Sequence, residues 1–284
     1  MNIIDKLAQK IGGAVLMNRD NLTEIRLRAN RRSLLRLLNG EEISGPVFIR
    51  EEIQSIACML MDESIYAREE ELKEGFFTAQ GGCRVGVCGK MVVQDGRISG
   101  ISSIGSLCIR IPMEIRGCAD SLLPLFDKGR ITSILIVSRP GLGKTTLIRE
   151  LSRCISDAGF NVAIADERRE ICACIEGIPQ LDVGSHTDVM EGCPKRIAVP
   201  QLIRACAPDL IVVDEIGGEN DADVLQDAAR CGVAIVATAH AGSVEEAFQR
   251  RSTGTLLKNG VFHHLILMGD KTGEIKEIKR IVAG

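Results

Sequence analysis

Aromatic side chains are nearly missing from this chain: of 284 residues none is Trp, one is Tyr and seven are Phe. Stacking platforms for single-stranded nucleic acid need several exposed rings, so that class of binder is poorly equipped here. Charge of one sign is also lacking. The formal net charge of −3 argues against a broad electrostatic hold on nucleic acid. No apolar run approaches the roughly 20 residues needed to cross a bilayer, and no apolar export signal precedes the first cysteine, Cys58. The expected compartment is the reducing cytoplasm, with the eleven cysteines as free, buried thiols rather than disulfides. No Cys-x-x-Cys occurs; Cys172-Ala173-Cys174 is too close for a zinc knuckle and has no second ligand pair nearby. An Asn-Lys-x-Asp segment, which would read guanine, is absent as well. What is present, 45% hydrophobic and 26% charged residues, is the make-up of an ordinary globular protein with an Ile, Leu, Val and Ala core.

The pattern changes character partway along. In the first part, Glu24-Ile25-Arg26-Leu27-Arg28 alternates as a half-buried strand does, and Ser33 to Leu38 continues after a turn. Glu51 to Met61 has helical spacing. Arg84 to Val93 and Arg97 to Ile101 flank Asp95-Gly96, a hairpin signal because both central residues of a type I′ turn need positive φ. In the second part, apolar strands at Ile134–Val137, Val162–Ala165, Leu210–Val213 and Val233–Ala237 alternate with helical stretches. One of these, Lys144 to Ala158, has Leu147, Ile148, Leu151, Cys154 and Ile155 at helical spacing, with Gly159 as its C-terminal stop. The expected fold class is α/β: a small N-terminal α+β domain over 1–115, then a P-loop NTPase domain over 116–284 with a mainly parallel sheet covered on both faces.

The strand Ile134–Val137 runs into Ser138-Arg139-Pro140-Gly141-Leu142-Gly143-Lys144-Thr145-Thr146, followed by the amphipathic helix. Glycines let the chain curl so that backbone N–H groups converge on a phosphate. A helix N-terminus behind them favours the anion. In this arrangement Lys144 reaches the β and γ phosphates of ATP, and the Thr145 hydroxyl ligates Mg²⁺. Ser138 stands where the strict pattern has Gly; if that position needs positive φ, the cost is on the order of 1 kcal/mol. The competing explanation is an incidental glycine-rich turn.

Leu210-Ile211-Val212-Val213-Asp214-Glu215 is an apolar strand ending in two acids, where open α/β sheets bind ligands. Asp214 is the candidate for the Mg²⁺ shell and Glu215 for polarising the attacking water; the plainer alternative is a solvated strand end. Val233 to His240 is a second buried strand ending in polar groups, among them Thr238. His240 either senses the γ-phosphate or is a locally satisfied structural histidine. Val162 to Asp166 leads to Glu167, Arg168 and Arg169. Here Glu167 either joins the metal and water network or belongs to a charge-laced helix start.

Taken together these residues resemble the secretion-type ATPases of type II and type IV machines, a hexameric, RecA-like branch. More specific segments resemble the stage III sporulation protein AA family. They are Ser64-Ile65-Tyr66-Ala67, Gly75-Phe76-Phe77-Thr78 and Gly81-Gly82-Cys83-Arg84-Val85-Gly86, then Ile175 to Gly184, Thr187-Asp188-Val189 and Gly192-Cys193-Pro194-Lys195. The resemblance runs from about Glu24 to about Phe262. It implies a mother-cell ATPase, cytoplasmic and peripheral to the membrane through its partners, self-associating as a hexamer and energising a sporulation channel complex around the forespore. It also implies an acidic box at Asp166-Glu167, a histidine box at His240, and arginines of the N-terminal domain, Arg84 and Arg110, turned against the nucleotide. Cys83 departs from the family, whose members often carry His there.

A rival from another class is a RecA-like, nucleic-acid-dependent ATPase using the basic run Arg26, Arg28, Arg31, Arg32 and Arg36. The plainer account of that run is the wet side of a strand pair, or a contact with a partner or an anionic membrane. Net charge and ring scarcity weigh against nucleic acid, and no specific nucleic-acid partner is expected. A scaffold that binds ATP without turnover is a third possibility, opposed by the retention of Lys144, Thr145, Asp214 and Glu215.

Overall fold

The computed structural model describes residues 3–61, 69–126 and 131–281. Its Cα packing forms two compact units, Met1–Met113 and Glu114–Gly284. The Ser64-Ile65-Tyr66-Ala67 segment lies outside the described residues.

Alternation of apolar and polar side chains shapes the first unit. Helices α1 (Ile3–Ile11) and α2 (Ala14–Met17) lead into strands β1 (Leu22–Arg28), β2 (Arg32–Leu37) and β3 (Glu42–Val47). Helices α3 (Arg50–Leu60) and α4 (Glu69–Lys73) follow, then β4 (Phe76–Ala79), β5 (Cys83–Gln94) and β6 (Arg97–Arg110). The strands pair antiparallel in the order β3-β2-β1-β6-β5-β4. One face turns Ile25, Leu27, Leu35, Val85, Leu107 and Ile109 into a core shared with Leu7, Ile53, Ile56 and Leu60. Each such side chain contributes about 1.5–3 kcal/mol when fully buried. At the β5–β6 turn, Asp95 and Gly96 both have positive φ, 50° and 73°, as the hairpin signal requires.

The opposite face is charged. Glu42, Arg36, Glu24, Arg110 and Arg84 stand opposite one another on successive strands. Arg26 and Arg36 both pair with Glu24, and Arg36 also with Glu42 at 2.6 Å. That part of the basic run is therefore the wet side of a strand pair with its own acids.

The second unit alternates strand and helix. It comprises β7 (Ile134–Ser138), α5 (Lys144–Asp157), β8 (Val162–Asp166), β9 (Thr187–Glu191), α6 (Lys195–Cys206) and β10 (Leu210–Glu215). Then come α7 (Glu219–Arg230), β11 (Ala234–His240), α8 (Val244–Gln249), α9 (Arg251–Lys258), β12 (His264–Met268) and β13 (Ile275–Arg280). The sheet order is β13-β12-β7-β11-β10-β8-β9, parallel except for the edge strand β13. Strands β7 and β8 are buried along their whole length, which is why they read as unbroken apolar runs.

Side-chain direction sorts the layers. Leu135, Val137, Ile211 and Val213 face the layer of α6, α7 and α9. Ile134, Ile136, Leu210, Val212 and Val236 face α5, which buries Leu147, Ile148, Leu151 and Ile155 against them. The period of two then carries Ser138, Asp166, Asp214 and Thr238 to the α5 face at the strands' C-terminal ends.

The thiols depart from expectation. Only Cys83, Cys172 and Cys174 are buried, while Cys88 and Cys231 are exposed and the others lie between. Several sit on the polar side of amphipathic elements: Cys108 lies beside Glu24, and Cys154 of α5 beside Glu150. Among the described residues, no helix is long and apolar enough to cross a membrane.

Candidate functional site

Strand β7 passes through the turn of Arg139, Pro140, Gly141, Leu142 and Gly143 into α5. The positive φ values fall at Gly141 (79°) and Gly143 (92°), where glycine carries no steric penalty. Ser138 remains in the strand without positive φ, so the conformational cost anticipated for it does not arise. Its side chain has another use: fully buried, the hydroxyl donates to Arg139 O (2.6 Å) and accepts from Lys144 Nζ (3.1 Å). Leu142 O accepts from Gly273 N at 3.0 Å, so the turn between β12 and β13 touches the loop.

Lys144 opens α5 and is 8% exposed. Besides Ser138 Oγ, its ammonium reaches the carbonyls of Ser138 and Arg139, both at 3.4 Å, and His240 Nδ1 at 3.0 Å. Burial pushes the Lys144 ammonium below its ordinary pKa, opposed by the charges of Glu215 and Asp214. His240 Nδ1 also lies 3.3 Å from the Ser138 carbonyl, which leaves Nε2 for a partner on the other side of the ring. That nitrogen lies 3.3 Å from Glu215 Oε2, which also accepts from Arg168 Nη1 at 2.9 Å. The register explains the meeting: His240 stands beside Ser138 across β11 and β7, and Glu215 beside Thr238 across β10 and β11. Lys144, His240 and Glu215 thus form one continuous polar chain.

Asp214, next to last in β10, is 4% exposed, and burial, then the Glu170 and Asp166 carboxylates, raise its pKa. The Thr145 hydroxyl, in the first turn of α5, and the Asp214 carboxyl are the oxygen donors that a hard divalent cation takes. Thr238 Oγ1 is buried with no hydrogen-bond partner among the described residues, a polar atom left over beside this cluster. The residues present fit a magnesium-bearing nucleotide. Thr146 follows Thr145 in the same turn, half-buried.

The acidic box divides. Asp166 is fully buried, and its carboxylate accepts from the amides of Glu170, Ile171 and Cys172 at 2.8–3.0 Å. These three bonds tie it to the backbone of the following turn. Glu167 instead takes a 2.6 Å hydrogen bond from Lys195 Nζ. Burial alone would raise the Glu167 pKa, but the hydrogen bond and charge of Lys195 outweigh it and the net shift is downward. Lys195 belongs to Gly192-Cys193-Pro194-Lys195, yet no local signal marks it as a partner of Glu167. Arg149 was also not anticipated: it is buried inside α5 and donates to the carbonyls of Glu170 and Ile171.

In the first unit, Arg84 and Arg110 are cross-strand neighbours. The Arg84 guanidinium lies 3.8 Å from the Phe76 ring centroid, and Arg110 Nε lies 3.7 Å from Glu24 Oε2. Cys83 is buried and its thiol is pushed up to about 12, so it stays protonated and inert.

Comparison with known proteins agrees with this architecture. The pilus retraction motor PilT with bound ADP matches with a TM-score of 0.66 at 16% identity, covering all of this chain and 84% of that one. The ATPase DotB of Yersinia pseudotuberculosis matches with a TM-score of 0.62 at 14% identity, covering 94% of this chain and 74% of that one. These likenesses establish the fold, an N-terminal domain followed by a RecA-like domain. Nucleoside-triphosphatase THEP1 of Thermotoga maritima is 36% identical over 100 residues, 30% of this chain and 57% of that protein. Stage III sporulation protein AA of Bacillus subtilis (strain 168) is 35% identical over 262 residues, 89% of this chain and 84% of that protein. The model of the family described as "Sporulation stage III, protein AA" matches residues 1–282, and the chain belongs to that family.

Proposed function

We propose that this chain hydrolyses ATP with Mg²⁺ as a secretion-type motor, and that it works as a ring, from the mother-cell cytoplasm, on a channel complex at the membrane around the forespore. One observation carries the hydrolytic part: Lys144 Nζ lies 3.0 Å from His240 Nδ1, whose other nitrogen lies 3.3 Å from Glu215. The group suited to hold the γ-phosphate and the group suited to activate water are thereby joined through one imidazole.

Lys144 and the amides of Gly141 to Gly143 bind the phosphates, the Lys144 ammonium exchanging its protein acceptors for phosphate oxygens. Glu215 orients a water for in-line attack on the γ-phosphorus and takes up its proton. His240 registers the movement of Lys144 and passes it to Glu215. A bound Mg²⁺ supplies charge neutralisation, held by Thr145 and Asp214. In a ring, Arg84 and Arg110 are the cations proposed to meet the charge that develops on the phosphate. Nucleic-acid stimulation is disfavoured because Arg26 and Arg36 already carry acid partners.

The test is phosphate release by the purified protein, with and without Mg²⁺ and over a range of protein concentrations, alongside mass by light scattering. Magnesium-dependent turnover that rises with assembly supports the reading. Absence of turnover at every concentration overturns it.

A further inference from the structure

Lys195 opens α6 and is 5% exposed. Both facts count against an ammonium at this position. Burial strips its water, and the positive end of a helix dipole repels a cation. Such a group persists only among carboxylates, and they are here: Nζ lies 2.6 Å from Glu167 Oε2 and 4.0 Å from Asp221 Oδ2. Its charge also favours the ionised form of Asp214.

These acids arrive from separate elements. Glu167 follows β8, Asp214 is next to last in β10, and Asp221 lies in the first turn of α7. Asp221 Oδ2 accepts from Gly217 N at 2.9 Å, in the turn just past Glu215. Lys195 therefore ties together the two loops that carry Glu167 and Glu215. Replacing the whole pair by apolar side chains of similar volume is often neutral or stabilising, whereas removing the lysine alone leaves its carboxylates without a counterion.

We propose that Lys195 is a positioning residue for nucleotide hydrolysis, holding Glu167 and, through Asp221, the turn behind Glu215 in the arrangement the reaction uses. It acts through these carboxylates and not on the nucleotide itself, and it rests on the hydrolytic reading given above.

The experiment compares the full-length wild-type chain with K195M, K195R, E167Q and the K195M/E167Q double variant. Three quantities are measured for each: kcat, the Kd of a fluorescent nucleotide, and Tm. K195M is expected to lower kcat by about tenfold or more, with Kd within about twofold of wild type. K195R recovers part of the rate, and the double variant is no slower than the slower single one. A K195M protein with the wild-type kcat overturns the proposal. So does a loss of rate accompanied by equal loss of nucleotide binding and a lower Tm, which describes a merely structural residue. Turnover in wild type with none of these changes in K195M sinks this inference alone; wild type without turnover sinks the hydrolytic reading and this inference with it.

Discussion

The two units treat charge in opposite ways. On the sheet of the first unit, Arg36, Glu42 and Arg110 lie in the open with Arg84 half-buried beside them, on neighbouring strands. In the second unit, Lys144, Lys195 and Asp214 are between 4% and 8% exposed and crowd the ends of three parallel strands and the starts of two helices. Exposed pairs are screened and contribute little in either direction. Buried ones oppose folding unless something beyond the fold retains them. Glu24 of the first unit, 8% exposed, is the exception, and it is held by Arg26 and Arg36; the contrast favours the second unit as the seat of the proposed chemistry.

Substitutions test that contrast, beginning with the most severe. K144A should lower phosphate release by about a thousandfold, since it removes the buried ammonium proposed to hold the phosphates. Near-normal turnover in K144A would erase the distinction between the units. E215Q should lower kcat by about a hundredfold while nucleotide binding persists, the signature of a lost proton acceptor; a parallel loss of binding would show instead that Glu215 only shapes the loop.

Next in size is a gain. Asp214 has a folded pKa above its ordinary value of 3.8. A raised value means that the protonated form stabilises the fold at low pH, and that this contribution is lost as pH rises through the folded pKa. At neutral pH the ionised group is therefore a burden. D214N should raise the Tm of the metal-free protein by about 2–4 °C while abolishing magnesium-dependent turnover, and its advantage over wild type should shrink as pH falls. A lower Tm would mean that Lys144 and Lys195 more than compensate Asp214. The smallest effect belongs to the first unit: R36A should leave Tm within about 1 °C, and a larger drop would show its charged face to be a cooperative network.

Much of this was legible in the sequence. The Asp95-Gly96 hairpin and the helix from Lys144 were readable because their causes are local, in backbone sign and side-chain period. Whether Ser138 carried a cost stayed open, because the letter pattern does not say which loop positions have positive φ; the strand simply continues through it. The bonds of Asp166 to amides four to six residues on were not readable, because they depend on a turn that periodicity does not describe. Lys195 was unreadable for a different reason. Its partner Glu167 stands 28 residues earlier, and only the placement of β8 beside α6 brings them together.

The peptide hydrogen bond from Gly273 to Leu142 has a practical consequence. It makes the last hairpin of the chain part of the wall of the phosphate loop. A fragment ending at Met268 would retain every motif discussed here, yet it would leave the crown of the loop unbraced. Fragments prepared for nucleotide-binding studies should therefore extend through Arg280, and one ending at Met268 should bind nucleotide more weakly.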